Sequence, residues 1–280
     1  MRYPYSILFN MYVYIHFKLV QGKGYLNVAF SIENKRTLVT GGTAGIGLAI
    51  AQRFVRHGAE VVISGRREEG AAIAEAMGAH FIRADMLLPD EVETLVSQAV
   101  AHLGGLDVVV NNAGIAESTG HITDSDMTDF DNQFAINVRA AYQILKLVPA
   151  HMTVGGSIIN TASISGTQGE PNLAAYGATK AALISLTKSS ALELAPRNIR
   201  VNAVNPGPIY SEIWSNGVPE DVLKVAVPLG RAGEADEAAA PFHFLASDDA
   251  SYITGSSLFV DGGLSAGRST RIRDLIVAHV

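Results

Sequence analysis

Seven short apolar runs rich in β-branched residues punctuate the chain from about residue 36: RTLVTGG, EVVISGR, HFIRAD, LDVVVNNAG, SIINTAS, IRVNAVNPG and SLFVDGG. Within each run the apolar positions are continuous rather than alternating, which marks strands covered on both faces. Between most of them apolar residues recur at helical spacing, over roughly 46–57, 68–77, 89–103, 126–150, 174–195 and 235–246. This alternation predicts an α/β fold: a single-domain, doubly wound parallel sheet of about seven strands, with right-handed crossovers and helices on both faces. The domain is expected over 33–265. One long irregular stretch, about 206–234, follows a strand end, where ligands bind in such sheets, so 208–234 is the expected substrate lid.

The ends of the chain fall outside the pattern. Residues 1–32 are aromatic and apolar, but Asn10, His16 and Lys18 interrupt them, short of the roughly 18–20 apolar residues of a membrane span. No small-residue cleavage site follows, so this segment reads as an appendage, and translation starting near Val28 is one explanation of it. Residues 266–280 form a tail with no assigned role. The 280 residues are 48% hydrophobic and 17% charged, enough apolar material for a substantial core. A net charge of −6 without a basic run argues against a nucleic-acid partner. The chain has no cysteine, which excludes disulfides, thiolate metal sites and cysteine nucleophiles, and fits a reducing cytoplasm. Its histidines are scattered without metal-ligand spacing, so no catalytic metal is expected.

The first strand runs directly into TLVTGGTAGIGLAI. Gly41, Gly45 and Gly47 let the backbone turn tightly and approach a ligand with no Cβ in the way. The helix opening near Ile46 offers free N–H groups and a positive dipole end, a fit for a pyrophosphate. Glycines there could also simply make a turn. The helix AAYGATKAA poses a second question, since Tyr176 and Lys180 lie one turn apart on the same face. A solvated surface pair is the bland reading. A tyrosine of pKa about 10 needs help to act as a base near neutrality. An ammonium about 4 Å away contributes roughly 4 kcal/mol at an effective dielectric near 20, enough to lower that pKa by up to about three pH units before desolvation is subtracted.

The spacing of Gly41, Gly45 and Gly47 resembles that of the short-chain dehydrogenase/reductase family. Further motifs match it in order: NNAG at 111–114, Asn137 in a long helix, Ser163 after a strand, Tyr176 with Lys180, and NPGPI at 205–209. PLGRAGE at 228–234 and YITGSSLFVDGG at 252–263 are similar to that family's C-terminal portion, so the resemblance covers about 33–265. It implies a Rossmann-type fold and a classical member of the 3-oxoacyl-[acyl-carrier-protein] reductase-like or glucose dehydrogenase-like kind. It also implies hydride transfer between a nicotinamide dinucleotide and a secondary alcohol or ketone. By this resemblance Tyr176 is the acid/base and Ser163 holds and polarises the substrate oxygen. Lys180 lowers the tyrosine pKa and binds the nicotinamide ribose, and Asn137 anchors a water that links Lys180 to solvent. Taken alone, Ser163 could be a turn former and Asn137 part of a buried polar network.

The remaining cofactor contacts implied are Thr43 in the glycine loop, Asp85 and Met86 after the third strand, and Asn112, Ala113 and Gly114. Pro206, Gly207, Ile209 and Ser211 would lie beneath the nicotinamide. Asp85 could instead cap the helix that follows, and Ser211 departs from the family's usual threonine while keeping a hydroxyl. The second strand ends in Gly65, Arg66 and Arg67 where an NAD-preferring site has an acidic residue. A guanidinium binds a 2′-phosphate that a carboxylate would repel, so NADP(H) is favoured and NAD(H) remains possible. The substrate pocket should draw on Ile164, Ser165, Gln168, Glu117 and 210–230, with Glu170 and Glu212 open as contributors. The long helices 126–150 and 174–195 resemble those through which family members form homotetramers. Two alternatives stand: an NAD-dependent sugar or polyol dehydrogenase of the same family, and a catalytically silent dinucleotide sensor.

Overall fold

The computed structural model describes residues 29–116, 120–210 and 218–277. Seven strands form one parallel sheet: β1 Arg36–Val39, β2 Glu60–Gly65, β3 His80–Arg83, β4 Leu106–Asn111, β5 Met152–Thr161, β6 Arg200–Pro206 and β7 Ser257–Val260. Their order across the sheet is β3-β2-β1-β4-β5-β6-β7. The chain winds one way from β1 to β3, then returns to the middle and winds the other way. The reversal between β1 and β4 leaves a crevice at their carboxyl ends, and both strands run straight into the glycine and NNAG loops.

Helices cover both faces, which explains the unbroken apolar strands; every residue of β6 is buried. On one face α1 (Gly45–Arg56) and α8 (Ala235–Ala246) close over the sheet, with Phe54 and Phe242 wholly buried. On the other, α3 (Pro89–Leu103), α5 (Ala141–Leu147) and α6 (Ala174–Leu194) pack around Leu95, Ile144 and Ile158. Burying each large side chain of this kind stabilises the fold by about 1.5–3 kcal/mol. Local signals set the helix ends. In α3, Pro89 opens the first turn with Asp90 and Glu91 beside the positive dipole end, and Gly104 closes the helix in the left-handed region. The short helix α2 (Gly70–Met77) completes the β2–β3 crossover.

Five details differ from the sequence-based expectation. The helix expected over 126–150 is α4 (Met127–Phe134), a π-helical turn Ala135–Ala140, then α5. Strand β5 begins at Met152, ahead of its apolar core, past a register shift against β4 between Leu106 and Val108. The stretch expected to be irregular contains a helix, α7 (Glu220–Ala226), opened by Glu220 and Asp221. The tail forms α9 (Thr270–Val277), which packs on α7. Ile32, assigned to the appendage, is a core residue, so folded structure starts before residue 33. Residues 1–28, including the proposed start at Val28, lie outside the described residues, as do Glu117, Ser211 and Glu212.

Candidate active site

A cleft of about 720 Å³ opens at the carboxyl end of the sheet. Its lining joins the glycine loop, the NNAG loop, the end of β5, the first turns of α6 and the loop after β6. One end holds Gly41, Gly45, Ile46, Gly47, Arg66 and Arg67; the other holds Ser163, Tyr176 and Lys180. Asn112, Ala113, Gly114, Pro206, Gly207 and Ile209 lie between them along the wall. Most of the residues singled out from sequence are therefore brought to one place.

At the glycine loop, Gly41 has φ +66 and a Cβ there would come within 2.9 Å of the Ala113 Cα. The two loops touch backbone to backbone, which only glycine permits. A Cβ on Gly47 would overlap the Gly41 carbonyl oxygen and the Asn112 amide nitrogen. Thr40, which sequence reasoning passed over, ties the loops together: its buried hydroxyl accepts hydrogen bonds from the Asn112 N–H at 3.0 Å and the Ala113 N–H at 3.1 Å. Asn112 Nδ2 in turn donates to the Thr40 carbonyl at 3.0 Å. The N-cap of α1 is Ala44, which has no side-chain oxygen to satisfy the first-turn N–H groups. Those amides front the cleft at Gly45, Ile46 and Gly47, a donor set that fits a pyrophosphate. Arg66 and Arg67 are exposed at the same end, and no carboxylate stands at the end of β2.

Three expected contacts are not brought to the cleft lining. Thr43 is buried, its side chain packed against Gly65. Asp85 has an oxygen committed to the Leu87 N–H at 2.9 Å, a local turn that ends before the α3 N-cap, Leu88, so it does not cap that helix either. Met86 is buried in the core with Val92 and Leu95, because the chain turns inward after β3 to start α3.

At the other end α6 presents Tyr176 and Lys180, with the lysine Nζ 5.5 Å from the phenol ring centroid. Lys180 is buried and donates to the Thr161 carbonyl at 2.8 Å, which fixes its ammonium and leaves two N–H directions for other partners. The Ser163 hydroxyl favours the ionised form of the phenol, while its own hydrogen bonds run to Ser165, from the N–H at 3.2 Å and between the two hydroxyls at 3.4 Å. Electrostatics here run opposite to the simple Coulomb argument. Burial pushes the Tyr176 phenol up to about 12, opposed by the Ser163 hydroxyl and reinforced by the Glu170 charge. Burial likewise pulls Lys180 down to about 8. Desolvation of both charged forms outweighs their attraction in this pocket.

Asn137 sits in the π-helical turn, where the widened backbone turns its amide across to the loop after β4. Its Oδ1 accepts from the Ile115 N–H at 2.9 Å, and its Nδ2 donates to the Ile115 carbonyl at 2.9 Å and to Thr179 Oγ1 at 3.0 Å. Thr179 donates onward to the Tyr176 carbonyl at 2.7 Å. The side chain thus pins the NNAG loop to α6. A Cβ on Gly114 would lie 3.1 Å from Asn137 Oδ1 and 3.3 Å from Lys180 Nζ, so the three groups converge. The substrate side is closed by Val218, Val222, Leu223, Ala226, Val227 and Leu264, from the lid helix and the segment after β7. Five of these lie in the 210–230 segment expected from sequence to line the pocket, although the helix that carries most of them fell in a stretch read as irregular; Leu264 was not anticipated. Among the described residues no group of three or more histidines and carboxylates is placed to hold a metal ion.

The chain is similar to known proteins over nearly all of this fold. A family model described as "Enoyl-(Acyl carrier protein) reductase" matches residues 41–265. Dehydrogenase/reductase SDR family member 4 of Caenorhabditis elegans is 37% identical over 255 residues, covering 84% of this chain and 96% of that protein. Trans-4-hydroxycyclohexanecarboxylate dehydrogenase of Sinomonas cyclohexanicum is 38% identical over 257 residues, covering 87% and 98%. The crystal structure of a short-chain dehydrogenase from Burkholderia cenocepacia in complex with NADP superposes with a TM-score of 0.80 at 34% identity, covering 84% of this chain and 99% of that one.

Proposed function

The chain belongs to the short-chain dehydrogenase/reductase family and is an NAD(P)-dependent oxidoreductase; from that premise we propose that it interconverts a secondary alcohol and its ketone using NADP(H), with Tyr176 as the acid/base. The observation that carries this reading is the meeting of Ser163, Tyr176 and Lys180 in the same cleft as an uncapped helix N-terminus and two arginines. The dinucleotide, when bound, supplies a hydride to the carbonyl carbon or accepts one from the carbinol carbon. Gly45, Ile46 and Gly47 direct N–H groups at its pyrophosphate, and Arg66 and Arg67 favour a 2′-phosphate. The bound NADP of the Burkholderia relative supports that preference.

In the reductive direction Ser163 donates a hydrogen bond to the substrate oxygen, which places that oxygen beside the phenol. Tyr176 transfers its proton to the oxygen as the carbonyl carbon becomes tetrahedral, and Lys180 offsets the charge left on the phenolate. Oxidation runs the same steps backwards, the phenolate taking the alcohol proton. A phenol held at about 12 stays protonated near neutrality and leaves little phenolate, so Lys180 matters most in the oxidative direction. Apolar walls close the pocket over the reacting atoms and strengthen these interactions. The Sinomonas relative is named for a secondary alcohol on a six-membered ring, which supports alicyclic alcohols and ketones as the first substrate class.

The proposed location is the cytoplasm, in keeping with a chain free of cysteine. Among the described residues no helix is long and apolar enough to cross a membrane. A homotetramer is proposed through the long helices, where Phe134, Val138, Leu186 and the exposed Tyr142 border a shallow apolar groove. The test is a panel of cyclic ketones with NADPH or NADH, followed at 340 nm. Saturable NADPH oxidation, faster than with NADH, is expected. Tight nucleotide binding with no turnover of any carbonyl or alcohol would identify a sensor and reject the proposal.

A further inference from the structure

Among the described residues that line the cleft, Glu170 is the one carboxylate. It sits at the substrate end, remote from Arg66 and Arg67. Its Oε2 accepts a hydrogen bond from Ser165 Oγ at 2.7 Å, and Ser165 Oγ lies 3.4 Å from Ser163 Oγ. Ser163 and Ser165 are both buried, so the contact holds the carboxylate in one position beside the reacting group. Its charge reaches the phenol, adding to the upward push on Tyr176. Val218, Val222, Leu223 and Val227 line the same cleft with apolar side chains, which lower its dielectric. Lys180, the nearest cation in the lining, is tethered to the Thr161 carbonyl.

We infer that Glu170 is a specificity-determining residue, a charge filter that disfavours substrates carrying a carboxylate near the reacting oxygen and favours neutral or ammonium-bearing alicyclic alcohols and ketones. A second negative charge entering an apolar pocket beside a fixed carboxylate loses its hydration and gains no counter-charge, whereas an ammonium gains one. The inference rests on the oxidoreductase reading for the word substrate, but the filter itself is a property of the pocket and can be measured without turnover.

The test measures dissociation constants of cyclohexanecarboxylate, cyclohexanol and cyclohexylamine for the full chain saturated with NADP⁺, in the wild type and in Glu170→Gln. The cofactor's charge is common to both proteins and cancels in the comparison. The wild type should bind the amine at least tenfold more tightly than the carboxylate, and Glu170→Gln should shrink that ratio about tenfold. Glu170→Ala, which removes the same charge by truncation, should shrink the ratio as well and serves if Glu170→Gln does not fold. A wild type that binds the carboxylate as well as the amine, an unchanged ratio in Glu170→Gln, or no binding of any of the three would overturn the filter. Cyclohexanol oxidation, assayed in parallel, reads the proposed substrate class separately: its absence with an intact charge ratio counts against alicyclic alcohols as substrates and leaves the filter standing.

Discussion

Replacing Lys180 by methionine removes the ammonium while keeping an unbranched side chain of similar length. The lysine Nζ is 5.5 Å from the Tyr176 ring centroid, so at an effective dielectric near 20 its attraction for a phenolate is about 3 kcal/mol. At 1.36 kcal/mol per pH unit that moves the phenol by about two units. The sign follows directly. Alcohol oxidation needs phenolate, the ammonium favours phenolate, and its removal raises the phenol pKa further above the value near 12 that burial already imposes. Below that pKa the phenolate fraction falls tenfold per unit, so kcat/KM for oxidation at pH 7, where Lys180 is still mostly protonated, should drop about 100-fold. The variant's profile should still climb with pH, and the two proteins should converge above pH 8. Ketone reduction, which begins from the neutral phenol, should lose less. The assay is NADP⁺-dependent oxidation of a cyclic alcohol at 340 nm from pH 6 to 11, in both proteins. Lys180 itself, held near 8, is about nine-tenths protonated at pH 7, so the wild-type advantage should wane as pH rises through that value. An oxidation profile of unchanged position and height in Lys180→Met would refute the electrostatic role of the lysine.

Other substitutions test separate parts of the site. In Gly47→Ala a Cβ overlaps the Gly41 carbonyl oxygen and the Asn112 amide; the forced shift costs about 1–3 kcal/mol, so the NADP⁺ Kd by fluorescence titration should weaken tenfold or more. Asn137→Ala strips partners from the Ile115 N–H, the Ile115 carbonyl and Thr179 Oγ1. With a cost of about 3 kcal/mol, Tm by calorimetry should fall by roughly 6–12 °C, and a change under 2 °C contradicts the pinning role. The tail caps the last carbonyls of the lid helix: Ser269 Oγ donates to the Val225 carbonyl and Arg271 Nη1 to the Lys224 carbonyl at 2.6 Å. Truncation after Arg268 should therefore raise KM for the carbonyl substrate by up to about 30-fold, from two hydrogen bonds of about 1 kcal/mol each, with the NADP⁺ Kd unchanged. Equal effects on both constants would show general destabilisation instead.

The sheet was legible because parallel strands buried on both faces leave unbroken apolar runs that no surface element shares. Helices 89–103 and 235–246 were read to the residue, since Pro89, Gly104 and the Glu234–Glu237 capping box mark their ends in sequence. Tyr176 and Lys180 were legible as a pair because helical geometry converts a spacing of four into a shared face. The relative strength of burial and attraction between them was not, since desolvation depends on what covers a residue and no local pattern records that. The π-helical turn at Asn137 is invisible in an apolar period that continues through it; only the poor helix former at that position hinted at it. Thr40 and Thr161 act through a hydroxyl and a carbonyl aimed at residues 72 and 19 positions away, contacts set by strand order. Met86 was read by its place after a strand, but the chain folds it into the core.

The most direct measurement is turnover by Tyr176→Phe, with nucleotide binding followed in the same preparation. The proposed mechanism assigns the proton transfer to the phenol hydroxyl, and general acid–base catalysis is worth about 10²–10⁴-fold. The account predicts an NADP⁺ Kd within about threefold of wild type, because α1 and the glycine loop are untouched. It predicts a fall in kcat of at least about 10²-fold in both directions. A Tyr176→Phe protein that binds nucleotide normally and turns over at near the wild-type rate would contradict it.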